Sequence, residues 1–317
     1  MNLEQGNFLQ SEVWAKTNRL IGHKVISEKL NSGSQLFMII KNAKRGRYME
    51  VPGGPLIDWQ DDQQINEAKD MMIKTAKQNH CAFIRFRPQL LASKENLKSI
   101  AKMSAKPSPM HLAAEHTVII NLTDSQEKIL ANMRRQTRYE VRRAEKLGIK
   151  VESGNSEALF REFHKIQNAT AERQHFVPPT LQTLLAERQA FGDDAKIYVA
   201  KTADGAPIAY GLILKNGDEA EYYEAASTDL NRRLPGAYAL QWRVILDLKK
   251  QNAKRYNLWG IAPPGQPHHR YAGVTTFKTG FGGEVVAYVS AHDIVISKLK
   301  YIPDYFIETI RKKRRHL

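Results

Sequence analysis

Residues 194–236, DAKIYVAKTADGAPIAYGLILKNGDEAEYYEAASTDLNRRLPG, read as three strands in a row. "DAKIYVAK" and "IAYGLILK" are rich in β-branched and aromatic residues and are parted by the turn "TADGAP". "NGD" then turns the chain into a third strand, "EAEYYEA", and "STDLNRRLPG" is a loop. The helix "AYALQWRVILDLKKQN" follows and leads into the strand "RYNLWGI". The same order occurs earlier. "HKVISEKL", "QLFMIIK" and "RYMEV" read as strands, with the turn "NSGS" after the first and the loop "PGGP" after the third. The helix "DDQQINEAKDMMIKTAKQN" places Ile65, Ala68, Met72 and Ala76 near helical spacing, and "CAFIRF" is the next strand. Strand, strand, strand, Gly/Pro loop, helix, strand thus occurs twice. It predicts two related α/β units, each a mixed sheet with helices packed on it.

The totals agree with that division. A chain of 317 residues suits two domains of roughly 150 residues each. A hydrophobic share of 42% supports packed cores. Lys and Arg number 48 against 33 Asp and Glu, a net charge of +15. That excess implies a polyanionic partner, which can be RNA, DNA, anionic lipid or a phosphorylated ligand; the alternative is a basic surface that binds nothing. The single cysteine, Cys81, excludes a disulfide framework and a cysteine zinc site, and fits a reducing compartment. "MNLEQGNFLQ" lacks the basic start and apolar run of a signal peptide, and no stretch approaches 18 uncharged apolar residues. The expectation is a soluble cytoplasmic protein.

Between the two repeats lies "NMRRQTRYEVRRAEKLGIKV", residues 132–151. Thr123 can cap its helix, with Gln126 closing a capping box. Leu130, Met133, Thr137, Val141 and Ala144 form one packing stripe. Arg134, Arg138 and Arg142 stack four residues apart on another face, where like charges repel unless a partner neutralises them. An exposed arginine ladder is expected, facing a phosphate-rich ligand together with Arg135 and Arg143. The alternative is a solvated face paired with Glu140 and Glu145. Gly148 ends the helix in the left-handed conformation. "KLKYIPDYFIETIRKKRRHL" at the C-terminal end is a second basic element. Tyr305, Phe306 and Ile310 face either the protein or a membrane, and the run 311–315 is solvated or rests on anionic lipid or RNA.

Three antiparallel strands, a glycine-containing loop and a helix N-terminus also make the core layout of N-acetyltransferase folds, in which free backbone N–H groups cradle an anion. Several segments in their order resemble the FemABX family of peptidoglycan interpeptide-bridge aminoacyltransferases. These are "FLQSEVW", "MRRQTRYEVRRAEKLGIKV", "FHKIQNATAERQHF" and "TTFKTGFGGEVV", with "EYYEAAS" and "RYNLWGI" between the last two. The resemblance covers nearly the whole chain. It implies two tandem GNAT-like domains, residues 1–117 with 291–317 and residues 118–290. The C-terminal segment would return to the first domain. Larger relatives carry a coiled-coil arm, and nothing between Gly148 and Asp193 is long enough for one.

The resemblance implies transfer of an amino acid from aminoacyl-tRNA, as co-substrate, to the stem-peptide amine of a muropeptide precursor. That acceptor is lipid II or UDP-MurNAc-pentapeptide; no cofactor and no acetyl-CoA is implied. Peripheral contact with the cytoplasmic membrane is compatible. Aminolysis of an ester needs a neutral amine and help for the developing oxyanion. Lys278 in "FKTGFGG" matches the family's functional lysine and would stabilise the oxyanion or hold the tRNA ester, with Phe277 beside it. The alternative is a surface lysine at a strand end. Tyr222 matches a cleft tyrosine of the family or merely packs on the sheet. Glu224, two residues on, should share its sheet face and accept the amine's proton, or else pair with an arginine. Arg173 is a ligand contact or an ion-pair residue. His268 and His269 make a poor metal pair, and line the cleft rim with Arg270; no metal is expected.

Small relatives that take a soluble UDP-linked precursor carry basic residues where this chain has Asn18 and Pro179, and an acidic one at Arg87. Arg85 and Arg87, with Arg19, would then replace the phosphate contacts, or the acceptor is lipid II. Two alternatives come from other classes. "RLPGAY", residues 233–238, half-resembles the pyrophosphate loop of acetyl-CoA-dependent acyltransferases, but Tyr238 crowds the approach the phosphates need. The arginine ladder alone would make a non-catalytic RNA-binding protein.

Overall fold

The computed structural model describes residues 8–314. Two compact units result: residues 8–116, 262–272 and 286–314 in one, and residues 117–261 and 273–285 in the other. The loop at 262–272 therefore falls with the first unit, whereas the sequence reading drew the second as a continuous 118–290.

The first unit runs α1 (Glu12–Leu20), β1 (Lys24–Lys29), β2 (Gln35–Ala43), β3 (Gly46–Gly53), α2 (Asp62–Gln78), β4 (Cys81–Pro88), α3 (Lys94–Lys102) and β5 (Lys106–Pro107). β1, β2 and β3 are antiparallel neighbours, and β4 lies parallel to β3. A parallel neighbour needs a crossover, which α2 provides. Asp61 starts that helix by accepting from the backbone N–H groups of Gln63 and Gln64. The expected stripe of Ile65, Ala68, Met72 and Ala76 is buried against Met38, Met49, Val51, Ile84 and Phe86.

The second unit contains β6 (His116–Asn121), α4 (Gln126–Asn132), α5 (Arg135–Lys146), β7 (Lys150–Gly154), α6 (Glu157–Gln174), α7 (Leu181–Phe191), β8 (Ala195–Lys201), β9 (Pro207–Asn216), β10 (Glu219–Ser227), α8 (Gly236–Lys250), β11 (Arg255–Asn257) and α9 (Ala272–Thr279). The pattern repeats: β8, β9 and β10 are antiparallel, and β11 is parallel to β10 after the crossover helix α8. Leu240, Val244, Ile245 and Leu248 of α8 pack on Val118, Ile213, Ala220 and Tyr256. β12 (Glu284–Ala287), β13 (His292–Val295) and α10 (Lys298–Arg314) complete the chain. β13 pairs antiparallel with β4, as β6 does with β11, so the C-terminal segment does return to the first unit. The sheet orders are β1-β2-β3-β4-β13-β5 and β12-β6-β11-β10-β9-β8-β7. Two mixed α/β units with the acyltransferase-type layout are what the repeat predicted.

The basic helix departs from the single rod expected. It breaks at Met133–Arg134 into α4 and α5, and Ser125, not Thr123, caps α4 by accepting from Lys128 N–H. Met133, Thr137, Val141 and Ala144 are buried across the break, with Leu130 packed against the same core. Gly148 takes φ +66° as expected. Of the basic run 311–315, Arg315 lies outside the described residues.

Candidate active site

"TTFKTGFGGEVV" does not deliver Lys278 at a strand end. It places it in the last turn of α9 and buries it, with 8% of the residue exposed. Three glycines hold the turn after it tight against the basic helices and β6. A Cβ on Gly280 would sit 2.5 Å from Thr137 Oγ1, one on Gly282 2.7 Å from the Asn132 carbonyl, and one on Gly283 2.6 Å from the Ile119 carbonyl. Gly282 and Gly283 also have φ of +76° and +90°, which side-chain-bearing residues avoid.

Arg134 fastens the same segment. Its backbone N–H donates to the Gly280 carbonyl at 2.8 Å, and Nη2 donates to the Thr276 carbonyl at 2.6 Å and to Thr279 Oγ1 at 3.2 Å. Arg138 donates to the carbonyls of Ala131 and Met133 at the end of α4. Arg143 pairs with Glu140 at 3.1 Å and donates to the Arg233 carbonyl. The ladder is thus mostly consumed at home. The break in the helix frees C-terminal carbonyls of α4, and Arg138 satisfies two of them. Arg135 and Arg142 remain exposed, and Arg142 has no ion pair among the described residues.

Around Lys278 the second unit assembles a mixed polar and aromatic site. Nζ donates to the Gly260 carbonyl at 2.8 Å and lies 5.8 Å from the centroid of the Tyr222 ring. Burial pulls the Lys278 amine down to about 7, with Glu224 opposing. Burial pushes the Glu224 carboxyl up to about 7, against Gln167, whose Nε2 donates to Oε2 at 2.7 Å, and against the charge of Lys278. Burial also raises the Tyr222 hydroxyl, to about 12. A lysine and a glutamate, each dragged to neutrality by desolvation, share one electrostatic neighbourhood.

Tyr222 and Glu224 do not keep the strict alternation that would give them one face. A bulge at Tyr223 sets Tyr222 opposite Ile213 but Glu224 opposite Leu212, consecutive residues of β9. One extra residue reverses the phase of the strand beyond it. Tyr222 therefore lies over Gly211 and beside Leu240 of α8, while Glu224 turns to Gln167 of α6. The pairing of Glu224 with an arginine is not what forms.

Phe277 closes an aromatic cluster. Its ring is 5.1 Å from both Tyr238 and Phe281. Tyr238 stands in the first turn of α8, where the Asn231 side chain accepts from Ala237 N–H at 3.0 Å. Gly236 packs so close that a Cβ would meet Ile208 Cγ2 at 2.3 Å. Arg173 holds the end of β10 to α6: it donates to the Ser227 carbonyl and lies 3.7 Å from Asp229. It is an ion-pair and strand-holding residue.

Reading by pattern missed Gln167, Glu187 and Glu221. Glu187 of α7 and Glu221 of β10 are 1% and 0% exposed, and burial first and neighbouring carboxylates second raise both well above the usual range. Leu184, Glu187 and Phe191 share one helical stripe, so a carboxylate at an apolar position was the available signal for the first.

In the first unit Arg85 and Arg87 differ sharply. Arg85 makes a bidentate pair with Asp293, both bonds 2.9 Å, and reaches Glu308 at 2.7 Å. Its donors are used, so it is a core ion-pair residue and not a ligand contact. Arg87 is 1% exposed, yet it donates only to the Pro88 carbonyl and Gln89 Oε1, and Nε has no partner. Burial lowers it to about 10, offset in part by Tyr288, over whose ring the guanidinium lies at 5.3 Å, and by Glu115. Gln89 also lines a 410 Å³ pocket with Trp59, Gln60, Gln64 and Asn96. His268 is exposed and His269 buried, as adjacent side chains pointing apart require. His269 Nδ1 accepts from Tyr271 N–H, and burial lowers its pKa. No cluster of three metal-ligating side chains occurs among the described residues.

The model of the FemAB family matches residues 1–110, 109–206 and 201–309. Aminoacyltransferase FemA of Staphylococcus epidermidis is 28% identical over 130 residues, covering 41% of this chain and 31% of that protein. FemA of Staphylococcus aureus is 28% identical over 142 residues, covering 45% and 33%. The matched stretch thus spans about a third of the curated relatives' length. Among solved structures, FemX superposes with a TM-score of 0.83 at 15% identity, covering 97% of this chain and 96% of that one. L-PGS from Bacillus licheniformis gives 0.62 at 13% identity, covering 97% and 96%. At these identities the likeness is one of fold.

Proposed function

The chain belongs to the FemAB family, and from that premise we propose that it transfers an aminoacyl group from aminoacyl-tRNA to the stem-peptide amine of a peptidoglycan precursor. The observation that carries this reading is Lys278: buried, drawn to neutrality, fixed by Gly260 near Tyr222, and electrostatically coupled to Glu224. A surface lysine would need none of this.

In the reaction the acceptor amine attacks the ester carbonyl, a C–N bond forms, and the C–O bond to the terminal ribose breaks. The attacking amine loses a proton and the leaving ribose oxygen gains one. Glu224 is the acceptor for the first: pushed up to about 7, its carboxylate is basic enough to take a proton from an amine at neutral pH. Lys278 in its ammonium form faces the developing oxyanion. Pulled down to about 7, it is also acidic enough to return a proton to the ribose oxygen. Gln167 orients Glu224, and Gly260 orients Lys278. The aromatic cluster of Phe277, Tyr238 and Phe281 supplies a wall for the adenosine end of the donor.

Exposed Arg135 and Arg142 fit the tRNA phosphates, a salt-dependent contact. Arg87, buried without a carboxylate bonded to it, suits an anionic group of the precursor, with the neutral amides of the adjoining pocket suited to its sugar or peptide. The acetyl-CoA reading is less favoured. At the start of α8, Asn231 already takes one free N–H and Tyr238 is built into the aromatic cluster. Purified protein is incubated with a radiolabelled aminoacyl-tRNA pool and either lipid II or UDP-MurNAc-pentapeptide, and the muropeptide is weighed. A gain of one aminoacyl residue, lost in Lys278→Ala, is expected. No gain on either acceptor, with acetyl transfer from acetyl-CoA observed instead, overturns the proposal.

A further inference from the structure

α10 is amphipathic the wrong way round for a helix that only caps a domain. Its inner face is polar and aromatic: Tyr301 and Asp304 are buried, and Tyr301 donates to Asp293 at 2.9 Å. Its outer face is apolar. Leu299 is 89% exposed, Ile302 49%, Phe306 63% and Ile310 50%. Steps of three, four and four residues align these four on one stripe, about 16 Å long at 1.5 Å per residue. A contiguous apolar stripe left in water marks an interaction site.

The charges are sorted around it. The helix has two acidic residues, and both point inward onto arginines: Asp304 pairs with Arg45 and Glu308 with Arg85. Lys298 and Lys300 are exposed beside the start of the stripe; Arg311, Lys313 and Arg314 are exposed at its end. The Arg45–Asp304 pair also fixes the basic hairpin between β2 and β3, "KNAKRGR", next to the helix. Lys106 lies against the helix from another side, 4.2 Å from the centroid of Tyr301. No acidic side chain of α10 is left on the outward face.

We propose that this face of α10 is a docking surface for an anionic lipid bilayer. The apolar stripe enters the boundary between headgroups and acyl chains, and the surrounding lysines and arginines meet lipid phosphates. A second copy of the chain fits less well, since two such faces would oppose their cations across the contact. A nucleic acid would use the cations and leave the aliphatic stripe in water. The surface belongs to the first unit alone and does not depend on the transfer reaction.

Flotation of the full-length chain with vesicles tests this. One set is pure phosphatidylcholine, and the other contains about a third phosphatidylglycerol, whose charge the juxtaposed cations meet. Binding to the anionic vesicles only is expected, weaker but not abolished at high salt. Ile302→Glu/Phe306→Glu should cut the bound fraction about ten-fold, given the apolar area withdrawn. The melting temperature should change little, because about half of Ile302 and most of Phe306 are already in water. Phe306→Trp should show a blue-shifted emission on adding anionic vesicles. Three results overturn the proposal: no binding by the unaltered chain, equal binding by the double glutamate variant, or a dimer in light scattering that the same variant dissolves.

Discussion

The guanidinium of Arg134 donates to the carbonyl of Thr276 at 2.6 Å, tying the start of the basic helix to the helix that carries Lys278. The contact turns a supposed ligand-binding arginine into a positioning residue. Arg134→Ala should cost about 1–2 kcal/mol of stability, the value for a hydrogen bond from a charged donor reduced for an exposed site. It should also lower kcat more than KM, because Lys278 loses its fixed place. Chemical denaturation and single-turnover transfer measure the two effects. Arg142→Ala, by contrast, should leave stability alone and weaken tRNA binding at low salt only, which filter binding at two salt concentrations checks.

Lys278 and Glu224 predict an unusual pH dependence of stability. Lys278 is depressed from 10.5 to about 7, so between those values the unfolded chain binds the extra proton and stability rises with pH. Glu224 is raised from 4.5 to about 7, so between those values the folded chain binds the extra proton and stability falls with pH. The pair therefore contributes a minimum near neutrality. Lys278→Met should abolish transfer and raise stability at pH 7 by about 1–3 kcal/mol, as apolar replacement of a buried charge does. Its melting temperature should no longer climb between pH 7 and 10. Melting curves at pH 5, 7 and 9 for both proteins decide it; a parallel rise in the variant would remove Lys278 as the source.

Gln167 is the group through which Glu224 keeps its charge. Its Nε2–H donates to the carboxylate and opposes the upward shift. Gln167→Leu should move the acidic limb of the pH–rate profile upward and leave KM for tRNA unchanged. Gln167→Glu should abolish activity near neutrality, since a second carboxyl would hold Glu224 protonated. If the limb stays in place in the leucine variant, Glu224 is not the base.

These expectations show where sequence periodicity reaches and where it stops. Both repeats were legible because strands and helices announce themselves by spacing and by turn residues; "NSGS" and "TADGAP" both fall where expected. The bulge at Tyr223 was not. A period of two carries no sign of an inserted residue until the partner strand supplies the register. The break at Met133–Arg134 was hidden for the same reason, since the apolar stripe runs on across it while the backbone bonds are taken over by Arg134 and Arg138. Arg85 and Arg87 read alike in "RFRP", though two positions apart on one strand they meet entirely different charges.

That last contrast yields the sharpest pair of variants. Arg85 is bound to Asp293 and Glu308, so Arg85→Met leaves the buried Asp293 and the partly buried Glu308 without their counter-charge and should cost about 3–5 kcal/mol. Arg87 has no bonded carboxylate to strand. Arg87→Met removes a desolvated guanidinium whose Nε is already unpartnered, and should leave the unliganded protein as stable as before or slightly more so. Its loss should appear only when precursor is present, as a raised KM and as smaller thermal stabilisation by the acceptor. Melting curves with and without UDP-MurNAc-pentapeptide separate the two residues. A large loss of stability in Arg87→Met without ligand would make it, like Arg85, part of the core.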